Sequence, residues 1–371
     1  MKQTSYKQWF SVIAACLLLA SSAIAQTTNQ TLATVKQSAV SQLSTLPESD
    51  TVVFISVQRI LNEVAPKVMP VADVARMRSA FDDIKKAVGV DPARIDYLAV
   101  AIRFRKPTAE LSFVSPDLLV VTSGDFSADS LLTMARLYLQ DQVHDEKYGS
   151  KTLVLMKLDQ IAAEAEKNPM LKSYVELGAV ALNANTIAFG NTSYLKAAVD
   201  AADGSGRISP TEINSLMRNP DALISAAGSP LTSFAKSFGM LGTETTPRDS
   251  RCESSFGDFY ASVTTDGDKF SLHGAMNADN SDTAKIIGNL LSGLLQGGVG
   301  SVPDKNAQSV LKELRLTPKE SEVMFEADIA QQAVADFIRE QMAPPTPATP
   351  KPKSPTKKRV RRRRPVRKSA T

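Results

Sequence analysis

The sequence predicts an α+β fold with two similar β-α-β-β-α-β units, in which antiparallel sheets are covered by helices, followed by a disordered C-terminal tail. Three patterns indicate this fold. Short runs of β-branched and aromatic residues alternate with stretches whose apolar residues recur every three or four positions. A similar order of elements occurs twice along the chain. From residue 343 onward, proline, lysine and arginine predominate, and such a composition cannot build a hydrophobic core.

The first 25 residues have the pattern of a cleaved signal peptide. Lys2 and Lys7 precede the apolar run Phe10–Ala20, and Ala23–Ala25 supplies small residues for cleavage. A lipoprotein signal is the alternative, but Cys16 lies inside the apolar run, where lipidation is not expected. We therefore expect an exported protein that is periplasmic or extracellular. Attachment of the exported protein to the cell envelope is a further alternative. Removal of the signal leaves Cys252 alone, so no intramolecular disulfide can form.

The first predicted unit covers residues 46–203 and follows a polar helical lead at residues 26–45. Thr51–Val57 has the β-branched and aromatic content of a buried strand. The next segment repeats apolar residues at helical spacing and ends at Gly89, a typical helix-terminating glycine. The later elements of this unit are predicted at Leu98–Phe104, Asp117–Thr122, a helix capped by Ser127, Thr152–Met156, Thr186–Phe189 and Thr192–Ala202.

The second predicted unit covers residues 222–342 and follows a helical connector at residues 204–221. Its clearest element is a hairpin, in which Thr265–Asp268 joins two strands and contains an Asp-Gly pair. The remaining elements are expected as strands at Ala222–Ala227 and Glu322–Ala327 and helices at Leu231–Phe238, Thr283–Leu295 and Ile329–Gln341.

The start of the first unit resembles uncharacterised secreted bacterial proteins. The resemblance rests on Leu46-Pro47, on the strand ending Ile55-Ser56-Val57, and on Gly89-Val90-Asp91-Pro92 before the next strand. Those proteins share an opening of Leu-Pro, strand, helix and Gly-hydrophobic-Asp-Pro. The resemblance implies export and no known activity.

Charge is segregated along the chain. The 43 lysines and arginines include two in the first 25 residues and eleven in Lys351–Lys368, which leaves 30 against 39 acidic residues elsewhere, a net charge of −9. The eleven tail cations are expected to bind polyanions without folding; behind a signal peptide, the expected partners are anionic cell-envelope or extracellular polymers. They are Lys351, Lys353, Lys357, Lys358, Arg359, Arg361, Arg362, Arg363, Arg364, Arg367 and Lys368.

The stretch Ala201–Glu212 resembles an EF-hand calcium loop. With Ile208 at the eighth position, Asp203, Ser205 and Glu212 occupy ligand positions, but Ala201 stands where the first carboxylate is required. A helix C-terminus followed by a second helix, which begins with a capping box and a proline, explains the same residues without a metal. The sequence favours this structural interpretation, in which no metal or cofactor is bound.

Signs of catalysis are weak. Of the two histidines, His144 is expected in a surface turn and His273 on the solvent-facing side of a strand. Ser233 and Lys236 match a four-residue S-x-x-K pattern, but the accompanying motifs of those enzymes are missing. The favoured hypothesis is a non-catalytic interaction protein held on an anionic surface by its tail. The alternatives are a module that binds a ligand in a cleft between the units or calcium in loop 201–212, and a hydrolase without a recognisable motif.

Overall fold

The computed structural model describes residues 40, 42–88, 91–105, 115–158, 175–229, 257–299, 308 and 311–342. These residues form a mixed α+β structure, as predicted. Their strands are β1 (Thr51–Ile55), β2 (Ile95–Arg105), β3 (Ser115–Gly124), β4 (Val143–Tyr148), β5 (Lys151–Lys157), β6 (Glu176–Asn183), β7 (Thr186–Asn191), β8 (Ile224–Gly228), β9 (Phe259–Asp266), β10 (Lys269–Asn277), β11 (Arg315–Lys319) and β12 (Glu322–Ala330).

The helices lie between these strands or follow them. The segment α1 combines Val57–Arg59, a π-helical turn at Ile60–Val64, and Ala65–Val68. The other α-helices are α2 (Val71–Val88), α3 (Ala128–Leu139), α4 (Thr192–Ala202), α5 (Pro210–Leu216), α6 (Ser281–Val299) and α7 (Gln331–Met342). Short 3₁₀ turns occur at Pro92–Arg94 and Gln140–Gln142.

The twelve strands in the described residues form one sheet in the order β11-β12-β10-β9-β8-β1-β2-β3-β7-β6-β5-β4. Every neighbouring pair is antiparallel. The two halves of the chain meet at the centre, where β1 pairs with β8 and Thr51 lies opposite Gly228. The expectation of separate sheets is replaced by one continuous sheet.

Helices cover the two faces of the sheet unequally. On the face that we call the front, α4, α5 and the segment at Leu43–Leu46 bury the apolar residues of β1–β3 and β5–β7. On the opposite face, the back, α1, α2 and α7 share one core, and α3 and α6 pack at its two sides. The front of β9–β12 carries polar side chains, among them Ser271, His273 and Asp328.

Several local predictions are confirmed. The helical periodicity of α2 places Met77 and Phe81 in the core, where each is less than a tenth exposed. Ser127 caps α3 by accepting a hydrogen bond from the Ser130 N–H at 3.2 Å. The β9–β10 hairpin turns at Gly267, whose φ of 58° lies in the left-handed region that glycine adopts without strain.

Other elements differ from the predictions. The first strand ends at Ile55, because Val57 already begins α1. The polar run that includes His144, expected as a turn, is the edge strand β4. Two further strands, β6 and β11, were not predicted, since β6 contains glycine and alanine and β11 contains a proline, residues that are depleted in strands. The helix expected at Leu231–Phe238 lies outside the described residues.

Candidate functional site

The eleven tail cations lie outside the residues that the structure describes, as does the predicted signal peptide. The structure does describe the point from which the tail departs. The helix α7 ends at Met342, one residue before the change in composition. Ala335 of this helix is buried in the back core, which also contains Leu61 and Phe270. The tail therefore continues from a helix that is packed on the folded body.

The helices were also compared with the requirements of a membrane span. In the described part of the chain, no helix has both the length and the apolar character needed to span a membrane.

The calcium-like loop is a connection between two capped helices. The helix α4 ends at Ala202, and Gly204 and Gly206 turn the chain with φ angles of 111° and 65°. Ser209 then caps α5, accepting a hydrogen bond from the Glu212 N–H at 3.1 Å. The Glu212 carboxylate accepts in return from the Ser209 N–H at 3.2 Å and lies 2.9 Å from its hydroxyl oxygen. This is the capping box that the sequence predicts.

An arginine and a serine occupy polar groups of that loop. The Arg207 guanidinium donates to the carbonyl oxygens of Ala201 and Ala202, at 2.7 and 3.2 Å, and so places a positive charge inside the loop. Among the described residues, no group of three or more histidine, cysteine or acidic side chains is placed to hold a metal. The geometry favours helix termination over calcium binding, because the arginine satisfies the carbonyls that end α4.

The two histidines lie far apart in the sheet. His144 is on the edge strand β4, with Nε2 3.8 Å from a carboxylate oxygen of Glu176. His273 is on β10 near the other edge, with Nδ1 3.8 Å from Glu326, and about half of its side chain is exposed, as predicted. The structure therefore does not bring these histidines together. Ser233, Lys236 and Cys252 lie outside the described residues.

A surface groove lies beside α3, within the first half of the chain. It has a volume of about 440 Å³ and is bordered by α3 and by the ends of the β4–β5 and β6–β7 hairpins. Arg136 in its wall already donates to both carboxylate oxygens of Asp145, at 2.9 and 3.2 Å. The groove is open and polar, which is unlike the enclosed, mostly apolar sites that hold small molecules. The other residues that line it are Asp129, Leu132, Ser150, Lys151, Thr152, Ala181, Asn183 and Ala184.

Charged side chains attach β4 to α4. The Lys196 ammonium lies 2.6 Å from a carboxylate oxygen of Glu146, and this hydrogen bond raises the pKa of Lys196. The Tyr148 hydroxyl donates to Asp200 at 3.0 Å, and this hydrogen bond raises the pKa of Tyr148. These contacts join the edge strand β4 to α4.

A buried polar cluster lies at the edge of the front core, and the sequence reasoning did not find it. Asp117 is fully buried and accepts a hydrogen bond from the Arg103 guanidinium at 3.0 Å. That guanidinium stacks over the Tyr194 ring, 4.4 Å from its centroid. The Tyr194 and Ser49 hydroxyl oxygens are 2.6 Å apart, and burial raises the pKa of Tyr194.

This cluster holds structure together. Tyr194 stays neutral at physiological pH because burial opposes its ionisation, so it does not act as a base toward Ser49. The cluster instead ties β2, β3 and α4 to the chain that precedes β1. One sequence signal pointed to it: Arg103 and Asp117 have opposite charges on two predicted strands, and the structure places them directly opposite each other.

Comparisons with known proteins give distant structural matches only. No protein-family model and no curated protein matches it. Crystal forms III, I and IV of a protein named TP0453 are similar at 10% identity each, with TM-scores of 0.43, 0.40 and 0.41. The matches cover 80, 81 and 82% of this chain and 97, 96 and 98% of that protein. A likeness of this degree carries no argument about activity.

Proposed function

We propose that this protein is an exported, non-catalytic interaction protein, held on an anionic cell-envelope or extracellular polymer by its basic tail. One observation carries the proposal. Eleven cations fall within Lys351–Lys368, which contains no acidic residue, whereas the chain between the predicted signal and tail has a net charge of −9. Such segregation is expected where one segment binds a polyanion and the rest must stay clear of it.

The physical basis is the release of counterions. A polyanion holds condensed cations, and each lysine or arginine that neutralises an anionic group returns one of them to solution. This term needs no folded site, so a proline-rich, extended segment can supply it. It also predicts that affinity falls steeply as salt rises.

The described body supports a non-catalytic role. The histidines lie near opposite ends of the sheet, the hydroxyl groups of Ser49 and Tyr194 are buried, and the groove beside α3 is open and polar. The packed helix α7, from which the tail departs, supplies a firm attachment point. The body would thus be presented at the polymer surface while the tail binds.

We also propose that the body contains two related units, residues 46–203 and 222–342. The strand order supports this proposal. Outward from the central β1–β8 pair, the strands follow in the order β1-β2-β3 on one side and β8-β9-β10 on the other. A helix on the back face comes next in each half, α3 after β3 and α6 after β10. Two features differ between the halves. The β4–β5 hairpin has no counterpart in the described part of the second half, and the last helices, α4 and α7, lie on opposite faces.

The test of tethering is sedimentation of the protein with envelope preparations and with an anionic polymer, across a salt series. We expect the chain from Gln26 to sediment at low salt and to be released as salt rises, because counterion release drives binding. A chain that lacks residues 343–371 should stay in the supernatant throughout.

The matched control keeps the length and prolines of the tail but carries Arg361→Gln, Arg362→Gln, Arg363→Gln and Arg364→Gln. It should bind with intermediate affinity and a shallower dependence on salt, since fewer counterions are released. Equal sedimentation of all three proteins would show that the body, and not the tail, makes the contact.

A further inference from the structure

The helix α6 has two apolar sides, of which the core uses one. Ala284 and Ile287 are buried against Val323 of the sheet. On the opposite side, Ile286 is 67% exposed and Leu290 is 44% exposed. Two large aliphatic side chains, one turn apart, thus face away from the body. Their contact with water is unfavourable in free energy, and a surface that covered them would remove this cost.

Glycines continue this exposed line of residues. Gly293 and Gly297 follow Leu290 on the same side of the helix, and a Cβ atom added to either would meet nothing within 4 Å. By contrast, a Cβ on Gly288 would lie 2.6 Å from Pro318, so close packing on β11 explains that glycine. Each glycine in a helix interior costs about 1 kcal/mol relative to alanine. Packing among the described residues does not account for Gly293, whereas Gly297 lies in the last turn of α6, where glycine also serves to end the helix.

The order of these four residues is self-complementary. Their separations of four, three and four positions follow the seam of a coiled coil, with large residues first and glycines last. In an antiparallel pair of identical helices, Ile286 would lie opposite Gly297, and Leu290 opposite Gly293. Each large side chain then meets a position without a side chain, and a two-fold axis passes midway between Leu290 and Gly293.

We propose that a second copy of this chain binds here, with the two α6 helices antiparallel and the side chains of Ile286 and Leu290 seated over the partner copy's glycines. We call the four residues Ile286, Leu290, Gly293 and Gly297 the α6 seam. The occupant is a copy of the same chain because α6 itself, running the other way, presents two gaps in the matching order. The inference does not depend on the tail or on tethering.

Charge also favours this place of contact. No charged residue occurs from Ile286 to Val299, although the body as a whole has a net charge of −9. Two copies can therefore approach along α6 without burying a charge. Antiparallel packing additionally places the two helix dipoles in opposite directions, which is favourable.

The size of the seam sets the strength of the contact. Its four positions span about 17 Å of helix at about 1.5 Å per residue. A helix pair of that length buries less than the roughly 1,200 Å² that stable complexes bury. The expected dimer is consequently weak and depends on protein concentration.

The experiment is sedimentation equilibrium of the chain from Gln26, at salt high enough to suppress contacts of the tail, together with thermal melts of dilute monomer. The variant Gly293→Ala with Gly297→Ala should raise the dimer dissociation constant about tenfold or more, because methyl groups fill the gaps. The same variant should raise the melting temperature of the monomer, because alanine favours the helix. Opposite signs in the two measurements separate association from folding.

Ser292→Ala is the matched control, since it improves helix propensity on the same helix away from the seam and should leave dimerisation unchanged. Ile286→Ser should weaken the dimer without destabilising the monomer, because the Ile286 side chain is exposed and does not belong to the core. The proposal is overturned if the protein stays monomeric at millimolar concentration or if the glycine variant associates as the parent does.

Discussion

At the scale of single residues, the best-defined feature is the ion pair of Arg103 with Asp117. Asp117 is fully buried, whereas the Arg103 side chain keeps 34% of its surface exposed. Removing charges from water is costly, so such a pair adds little net stability, but loss of the arginine takes a charge-assisted hydrogen bond away from a buried carboxylate. The Tyr194 ring under the guanidinium adds a cation–π contact. The arginine therefore serves two neighbours at once.

We predict that Arg103→Ala lowers the free energy of unfolding by about 2 kcal/mol, because the buried Asp117 loses the charge-assisted hydrogen bond from Arg103 and Tyr194 loses its cation–π contact. Chemical denaturation with urea measures the change. Arg136→Ala is the control: Arg136 also pairs with an aspartate, Asp145, but on the surface, and should change stability by no more than about 0.5 kcal/mol. Equal losses in the two variants would contradict the role assigned to the buried pair.

At the scale of elements, the connection between α4 and α5 shows how a metal-like pattern arises from helix ends. A helix C-terminus calls for glycine and a cation, and the next N-terminus calls for serine, proline and glutamate. Gly204, Arg207, Ser209 and Glu212 meet these needs in turn. Placed one after another, the same residue types resemble a calcium loop, although each has a local structural task.

We expect Ser209→Ala to lower stability by about 1 kcal/mol, the usual cost of a lost N-cap, and to do so equally with and without millimolar calcium. Thermal melts of the parent protein and of Ser209→Ala, each in millimolar calcium and in chelator, measure the loss of stability under both conditions. Ser127→Ala, which removes the cap of α3, is a control of similar size. If calcium raises the melting temperature of the parent protein but not that of Glu212→Gln, the loop is a calcium site after all.

The two edge strands explain the main errors in the element predictions. Among the described residues, β4 and β11 are the outermost strands of the sheet, so each has one side without a neighbouring strand there. Such strands carry charges or proline, which discourage pairing with other molecules, as in the charged run of β4 and Pro318 of β11. These protective residues are also the ones that make a strand resemble a loop, so residue propensities misassign them.

At the scale of the whole molecule, the central pairing of β1 with β8 joins both halves into one body. The back core contains Leu61 and Leu98 from the first half together with Phe270 and Ala335 from the second. Neither half can therefore complete its hydrophobic core alone. The internal similarity of the halves, if they are related units, does not make them independent domains.

This architecture predicts one cooperative unfolding transition for the described body. Leu195→Ala in the front core and Phe270→Ala in the back core should each destabilise the protein by about 3 kcal/mol and shift the same transition. Calorimetry checks this through the agreement of calorimetric and van't Hoff enthalpies. Leu137→Ala, at an exposed position, should have little effect. Two transitions, each sensitive to one substitution, would mean that the halves unfold separately.

Much of the local structure, and the charge pattern behind the proposed function, follow from the sequence alone. The periodicity of α2, the caps at Ser127 and Ser209 and the turn at Gly267 depend on residues close together in the chain, so their types predict them. The eleven cations of the tail are likewise read directly from the composition.

The tertiary structure decided how these elements combine. Segments that are distant in sequence determine the pairing of Thr51 with Gly228 and the contacts of Arg103 with Asp117 and Tyr194. The packing of the core determines which side of α6 stays exposed. Apolar patterns indicate that a surface must be buried but do not name its partner, because hydrophobic attraction has no direction. The partner is selected only when strand register, packing and buried charge are satisfied together.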